Sequence, residues 1–222
     1  MPLRLLASVL FALAASLPLH TPARAAYPDH IVRIVVPFAP GGGTDVVART
    51  LAQEMQKDLG VAVIIENKPG AGTIIGTQSV AASPPDGYTL LMATFANAVN
   101  PSLYRKLPYD PHKDLAPVGL VARSFNIVVV NPASPIKSIG DLIAAAKADP
   151  EKLSYGTYGT GTSAHLAGEL FKRMAGVNLT TVPYKGAAPG ITDLLGGQIQ
   201  VMFTTVASCA SLVEAGQLAR SP

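Results

Sequence analysis

The 222-residue sequence contains one cysteine, Cys209, and no tryptophan. A lone cysteine excludes both an intramolecular disulfide framework and a cysteine-rich zinc module. No group of His, Cys and carboxylate residues has metal-ligand spacing, so neither a metal nor another cofactor is expected. Charge is scarce as well: Asp, Glu, Lys and Arg make up 14% of the chain, where an average soluble domain carries about 25%. There is no dense Lys/Arg patch, which argues against nucleic acid as a partner. What the chain does have is apolar residues, 49% of the total. That share excludes a disordered polymer, and the length is enough for one or two domains with a real core.

Residues 1–25 read as a secretory signal. Arg4 gives the positive start, and Leu5–Leu17 is an apolar run broken only by small residues. Pro18 ends the run, and Ala23-Arg24-Ala25 is a small-x-small cleavage site. The run is shorter than the roughly 20 apolar residues that cross a bilayer, and nothing later is long and apolar enough to do so. The expected product is therefore exported to the periplasm, cleaved near Ala25 and not membrane-spanning. Cleavage removes Arg4 and Arg24 and no acid, so the formal charge falls from +3 to +1.

In the mature chain, β-branched runs alternate with helical spacing. Ile31–Val36, Val61–Ile65 and Tyr88–Ala93 read as strands. Ala48, Leu51, Ala52, Met55 and Leu59 lie on one face of a helix stopped by Gly60. Gly72–Ala82 reads as a small-residue helix. After a proline-rich stretch, Val118–Val121 and Asn126–Val130 read as strands. Ser138 opens a capped helix to about Ala148. Strands at Leu153–Gly156, Leu179–Pro183 and Ile199–Thr204 then alternate with helices at Ser163–Ala175, Pro189–Leu195 and Val206–Ala215. The alternation predicts parallel βαβ units in an α/β fold. The expected division is a first lobe over residues 26–120 and a second over 121–222.

Four segments follow predicted strands, where open α/β sheets bind ligands. Phe38 to Asp45 includes Gly41, Gly42, Gly43 and Thr44, and precedes a helix. Glycines allow close backbone approach, and helix N-terminal N–H groups favour phosphate or carboxylate. An ordinary turn with Thr44 or Asp45 as cap would read the same way. No lysine follows the glycines, so this is not a Walker loop. The second segment, Thr157 to His165, offers Gly159, Thr160, Gly161, Thr162 and Ser163 in the same setting. It fits a loose dinucleotide pattern, but no acid lies near Leu179-Thr180-Thr181 to hold a ribose. The third holds Thr94, Asn97 and Asn100. The fourth holds Lys185, the only cation of the four. Backbone N–H, hydroxyl and amide donors suit reversible carboxylate binding better than acid–base catalysis. Ser163 with His165 is the alternative catalytic reading, an exported α/β hydrolase, although Gly-x-Ser-x-His is not the Gly-x-Ser-x-Gly elbow.

The block Pro37-Phe38-Ala39-Pro40-Gly41-Gly42-Gly43-Thr44-Asp45 resembles the first-loop signature of the Bug-type solute receptors, the substrate-binding proteins of tripartite tricarboxylate transporters. Glu66-Asn67-Lys68-Pro69-Gly70-Ala71-Gly72, Pro85-Asp86-Gly87-Tyr88, Asn100-Pro101-Ser102-Leu103-Tyr104, Tyr155-Gly156-Thr157 through His165-Leu166 and Val182-Pro183-Tyr184-Lys185-Gly186 resemble further blocks of that family, in order. The resemblance implies a two-lobe type II periplasmic-binding-protein fold that closes on a small carboxylate and delivers it to a two-component membrane permease. It also implies that the Phe38–Asp45 and Thr157–His165 loops face each other across the cleft. Two departures stand out. Thr204 occupies a position where relatives commonly carry an acid, making it a candidate pocket residue. Relatives also continue well beyond the point where this sequence ends. From that second departure, the expectation is a first lobe that lacks its return segment, and the alternative is a truncated copy without a transport role.

Overall fold

The computed structural model describes residues 27–150 and 152–220; the expected signal at residues 1–25 and its cleavage site lie outside the described residues. The first β-branched run forms strand β1 (Val32–Val36), in which Val32, Ile34, Val35 and Val36 are buried, so both faces carry apolar side chains and Arg33 alone is exposed. It is the centre of a three-stranded parallel sheet, flanked by β2 (Val63–Asn67) and β3 (Thr89–Leu91). Helix α1 (Gly43–Leu59) makes the crossover from β1 to β2, with Ala48 and Ala52 buried beneath it. These side chains, with Val32, Ile34, Val36, Phe38 and Val63, form the apolar core of this sheet.

The single helix expected over Gly72–Ala82 is divided. A 3-10 turn (Ala71–Thr73) precedes α2 (Ile74–Ala81), because Gly72 (φ 58°) and Thr73 (φ 83°) are left-handed and the α ladder starts only after them. The segment read as a ligand loop around Asn97 is instead helix α3 (Phe95–Leu103), with Pro101 inside it. No strand forms at Val118–Val121. Residues 115–125 have no regular structure, and Val118 and Leu120 are 88% and 74% exposed. Apolar content alone does not make a strand; it also needs an edge to pair with, and no described strand pairs with this segment.

The second sheet has the order β6-β5-β7-β4-β8. It comprises β4 (Asn126–Val130), β5 (Ser154–Thr157), β6 (Thr180–Pro183), β7 (Val201–Thr205) and β8 (Ala219–Arg220). The βαβ expectation holds for β5, which runs parallel to β6 and β7, but β4 is antiparallel to both β7 and β8. Helices α4 (Ile139–Ala148), α5 (Ser163–Ala175), α6 (Ala187–Leu195) and α7 (Val206–Glu214) cover the two faces. Alternation along the strands sorts the side chains. Val130, Val201 and Phe203 join Leu142, Tyr155 and Ala164 on one face. Val129 and Met202 join Ile191, Leu194 and Cys209 on the other. Each fully buried Leu or Val contributes about 1.5–3 kcal/mol by burial. Tyr158 packs against all three apolar clusters and so ties the two sheets together.

Candidate functional site

Segments that leave the C-terminal ends of strands from both sheets meet at one cavity of about 200 Å³. From the first sheet come Pro37 and Phe38, which follow β1, and Gly70, Ala71, Gly72 and Thr73, which follow β2. From the second sheet come Tyr158, Gly159 and Thr160, which follow β5, and Pro183, Tyr184 and Lys185 at the end of β6. This is where parallel α/β sheets present ligands.

The loop after β1 is held in shape from behind. Asp45 is 2% exposed. Its Oδ2 accepts the Gly41 N–H (2.9 Å) and Arg49 Nε (2.9 Å), and its Oδ1 accepts Asn67 Nδ2 (2.8 Å). Asn67 Nδ2 also donates to the Phe38 carbonyl (3.0 Å), and Arg49 Nη2 donates to Asn67 Oδ1 (3.2 Å). Burial raises the Asp45 pKa, but the hydrogen bonds from Arg49, Gly41 and Asn67 outweigh it and hold the carboxyl below its ordinary value. Asp45 therefore faces inward and positions the loop instead of lining the cavity.

The three glycines do not line the cavity either. Gly41 and Gly42 lie against Ala188 and Ala187 at the start of α6, and the Gly43 N–H donates to Ser208 Oγ of α7 (3.0 Å). The Ala39 N–H donates to the Lys185 carbonyl (2.8 Å). The N-terminus of α1, the expected anion cradle, is thus capped by the second sheet's helices. Thr44 sits half-buried in the first turn of α1, away from the cavity lining.

The loop after β5 also spends most of its hydroxyls on itself. Thr157 Oγ1 accepts the Gly159 N–H (3.2 Å), Thr162 Oγ1 donates to the Gly159 carbonyl (2.6 Å), and Thr162 caps α5 through the His165 N–H (3.4 Å). The Gly161 N–H donates to His165 Nδ1 (3.3 Å), while Ser163 Oγ donates to Asn126 Oδ1 (3.2 Å) and lies 3.3 Å from Tyr158 OH. No hydrogen bond joins Ser163 to His165, so the nucleophile–base pair of the hydrolase reading does not form. Thr94 and Asn97 start α3: Asn97 Oδ1 accepts the Thr94 N–H (2.8 Å), and its Nδ2 donates to Thr77 Oγ1 (2.7 Å). Thr204 is fully buried within β7, its hydroxyl without a partner among the described residues.

Of the expected set, Phe38, Gly159, Thr160 and Lys185 reach the cavity. Lys185 takes part in none of the ion pairs among the described residues. Sequence reasoning passed over Gly70–Thr73, Tyr158 and Tyr184. The Pro69-Gly70-Ala71-Gly72 run directly after β2 was the available signal for the first. Tyr184 donates to Asp193 Oδ2 (2.7 Å), and burial, with the adjacent carboxylate, pushes its phenol up to about 12. Burial likewise raises the Tyr158 phenol. Both rings present neutral walls. A larger, more open hollow of about 490 Å³ beside Lys147, Lys172 and Arg173 holds none of the expected residues. Among the described residues no group of three His, Cys, Asp or Glu side chains is placed to hold a metal, and no helix is long and apolar enough to cross a membrane.

Residues 47–220 match the tripartite tricarboxylate transporter family receptor profile, TctC. The chain belongs to the tripartite tricarboxylate transporter receptor family. Among curated TctC relatives, BugT of Bordetella pertussis is 39% identical over 194 residues, covering 86% of this chain and 60% of BugT. An R. palustris protein solved with adipate superposes with a TM-score of 0.84 at 38% identity, covering 88% of this chain and 66% of that one. MatC from Rhodopseudomonas palustris, solved with bound malate, gives a TM-score of 0.80 at 32% identity over 87% of this chain and 66% of MatC. The chain spans about 60% of the length of the curated TctC relatives it matches.

Proposed function

We propose that this chain is the ligand-capturing part of an exported, periplasmic solute receptor. It takes a small carboxylate between a first lobe (residues 26–120) and a second (121–222), and presents it to a two-component membrane permease. One observation carries the reading: the cavity of about 200 Å³ is walled from both sheets and has Lys185 as its single cation. Pockets for drug-sized ligands measure about 300–1,000 Å³, so this space suits a smaller molecule. Phe38, Tyr158 and Tyr184 supply apolar walls against the carbon chain. Lys185 supplies the charge, and backbone and Thr160 hydroxyl donors of the Gly159–Thr160 segment complete the carboxylate contacts. The adipate and malate that occupy two solved relatives are small carboxylates.

Asp45, Asn67 and Arg49 act indirectly, by fixing the loop that carries Phe38. Gly41, Gly42, Gly43, Thr44, Thr94, Asn97, Thr157, Gly161, Thr162, Ser163, His165 and Thr204 shape the surrounding loops or lie behind them. A thermal-shift panel of mono-, di- and tricarboxylates checks the reading. A rise in melting temperature is expected for at least one small carboxylate and for none of the matching amides. Equal shifts for acids and amides, or none for any acid, would contradict it.

A further inference from the structure

The turn after β2 has no role in the expectations drawn from the sequence, yet its backbone approaches the opposite lobe very closely. A Cβ added to Gly72 would lie 2.3 Å from the Thr160 carbonyl oxygen. That neighbour is backbone, so no side-chain rotation relieves the overlap. Gly159 stands opposite, with a built Cβ 3.7 Å from the Gly72 Cα. Both residues line the cavity.

The turn is also braced from behind. Asn100, fully buried on α3, donates from Nδ2 to the Gly72 carbonyl (3.1 Å) and to Thr73 Oγ1 (3.1 Å). Thr77 Oγ1 donates to the Thr73 carbonyl (2.8 Å), and Asn97 Nδ2 donates to Thr77 Oγ1 (2.7 Å). Four consecutive residues, Gly70 (φ 132°), Ala71 (47°), Gly72 (58°) and Thr73 (83°), have positive φ. Two of these are not glycine, a conformation that persists only where the surroundings over-determine it. A turn so braced cannot retreat when the other lobe meets it.

We propose that the Gly70–Thr73 turn is a third wall of the ligand site and the stop that sets how far the lobes close, with Gly72 as the residue that fixes the gap. The assignment rests on the carboxylate-receptor reading above, and it makes Gly72 a determinant of affinity and of the ligand size the cleft accepts. A side chain at position 72 holds the lobes apart, so fewer molecules reach the closed state that grips ligand.

The decisive comparison is Gly72→Ala against Gly60→Ala. Gly60 also has positive φ (70°), but an added Cβ there meets nothing within 4 Å, so it reproduces the backbone strain without the clash. Amide exchange of the unliganded proteins reads the lobe contact through two cross-lobe bonds, Ala39 N–H to the Lys185 carbonyl and Gly43 N–H to Ser208 Oγ. Faster exchange of both amides is expected in Gly72→Ala and wild-type exchange in Gly60→Ala; equal exchange in the two variants overturns the proposal, whether or not any carboxylate binds. Titration with malate and adipate then reads affinity. If the variant leaves about a tenth of the molecules able to close, binding weakens about tenfold relative to Gly60→Ala. Wild-type binding matched by Gly72→Ala overturns the stop while leaving the receptor reading intact, and absence of binding to any carboxylate by the wild type counts against the receptor reading instead. Should Gly72→Ala fail to fold, wild-type exchange with and without saturating malate or adipate decides. Joint protection of residues 70–73 and 158–161 supports the stop, and protection of only one of the two segments overturns it.

Discussion

Phe38 and Tyr158 meet edge to face, with ring centroids 6.0 Å apart and planes at 89°. One ring follows β1 of the first sheet and the other follows β5 of the second, and both line the same cavity. The pair is at once part of the ligand wall and part of what joins the two sheets. Phe38→Ala is expected to lower stability by about 3 kcal/mol through lost burial and to weaken carboxylate binding as well. Tyr158→Phe keeps the ring and loses long hydroxyl contacts such as those to Asn126 and Ser163, both at 3.3 Å, so a loss of about 1 kcal/mol is expected. Urea melts of the two variants distinguish the ring from the hydroxyl; equal losses would contradict the packing role.

Asp45 links stability to pH. Its folded pKa lies below the ordinary carboxylate value because hydrogen bonds from Arg49, Gly41 and Asn67 outweigh the opposing cost of burial. A depressed folded pKa contributes stability that is present above the unfolded value, about 3.9. That stability is lost as pH falls through the folded pKa. Asp45→Asn is expected to lower stability by about 1–3 kcal/mol at neutral pH and to reduce the acid-induced loss. Melts between pH 7 and about pH 3 check this, and parallel profiles for the variant and the wild type would contradict it.

Lys185 is exposed at the cavity rim and its side chain takes part in none of the hydrogen bonds among the described residues. Lys185→Met is therefore expected to leave the melting temperature nearly unchanged while weakening carboxylate binding about tenfold or more, the value of one hydrogen bond to a charged group. Raising the salt concentration should weaken wild-type binding more than that of the variant. Tyrosine fluorescence titrations at two ionic strengths measure both effects.

Gly43 and Ser208 form a contact with little slack. A Cβ on Gly43 would stand 2.8 Å from Ser208 Oγ and 2.9 Å from the Ser208 backbone nitrogen. Gly43→Ala is expected to cost about 1–3 kcal/mol by overpacking. Ser208→Ala, which removes one hydrogen bond, is expected to cost about 0.5–1.5 kcal/mol. The double variant should not recover wild-type stability, because the backbone nitrogen remains in place. Full recovery in denaturant melts would show that the side chain alone sets the contact.

The strands were legible because short apolar runs such as Ile34–Val36 and Val201–Phe203 are buried on both faces and need no partner-specific information to be recognised. Helix α5 was legible from Thr162, Ser163 and Gly176, its cap, first turn and left-handed stop. Helix α3 was hidden because Asn97, Asn100 and Pro101 favour turns locally, whereas the bonds from Asn97 to Thr77 and from Asn100 to Gly72 that hold it are tertiary. The strand expected at Val118–Val121 had the right composition but no edge to pair with. Of the four expected segments, those after β1, β5 and β6 reach the cavity, whereas the one after β3 is helix α3 and the turn after β2 takes its place in the lining. Sequence could not tell which groups turn inward: Asp45, Thr157 and Thr162 look like ligand contacts until their partners at Gly41, Gly159 and His165 are known. The left-handed backbone of Ala71 and Thr73 carries no residue-type signature at all.

The receptor reading turns on whether the cavity beside Lys185 holds a carboxylate. Calorimetric titration of the folded chain with malate, adipate and their diamides tests this directly. The expected result is saturable binding of at least one diacid at one site per chain, with no binding of its diamide and marked weakening in Lys185→Met. Binding of the diamide as tightly as the acid, or a diacid affinity unchanged in Lys185→Met, would contradict it.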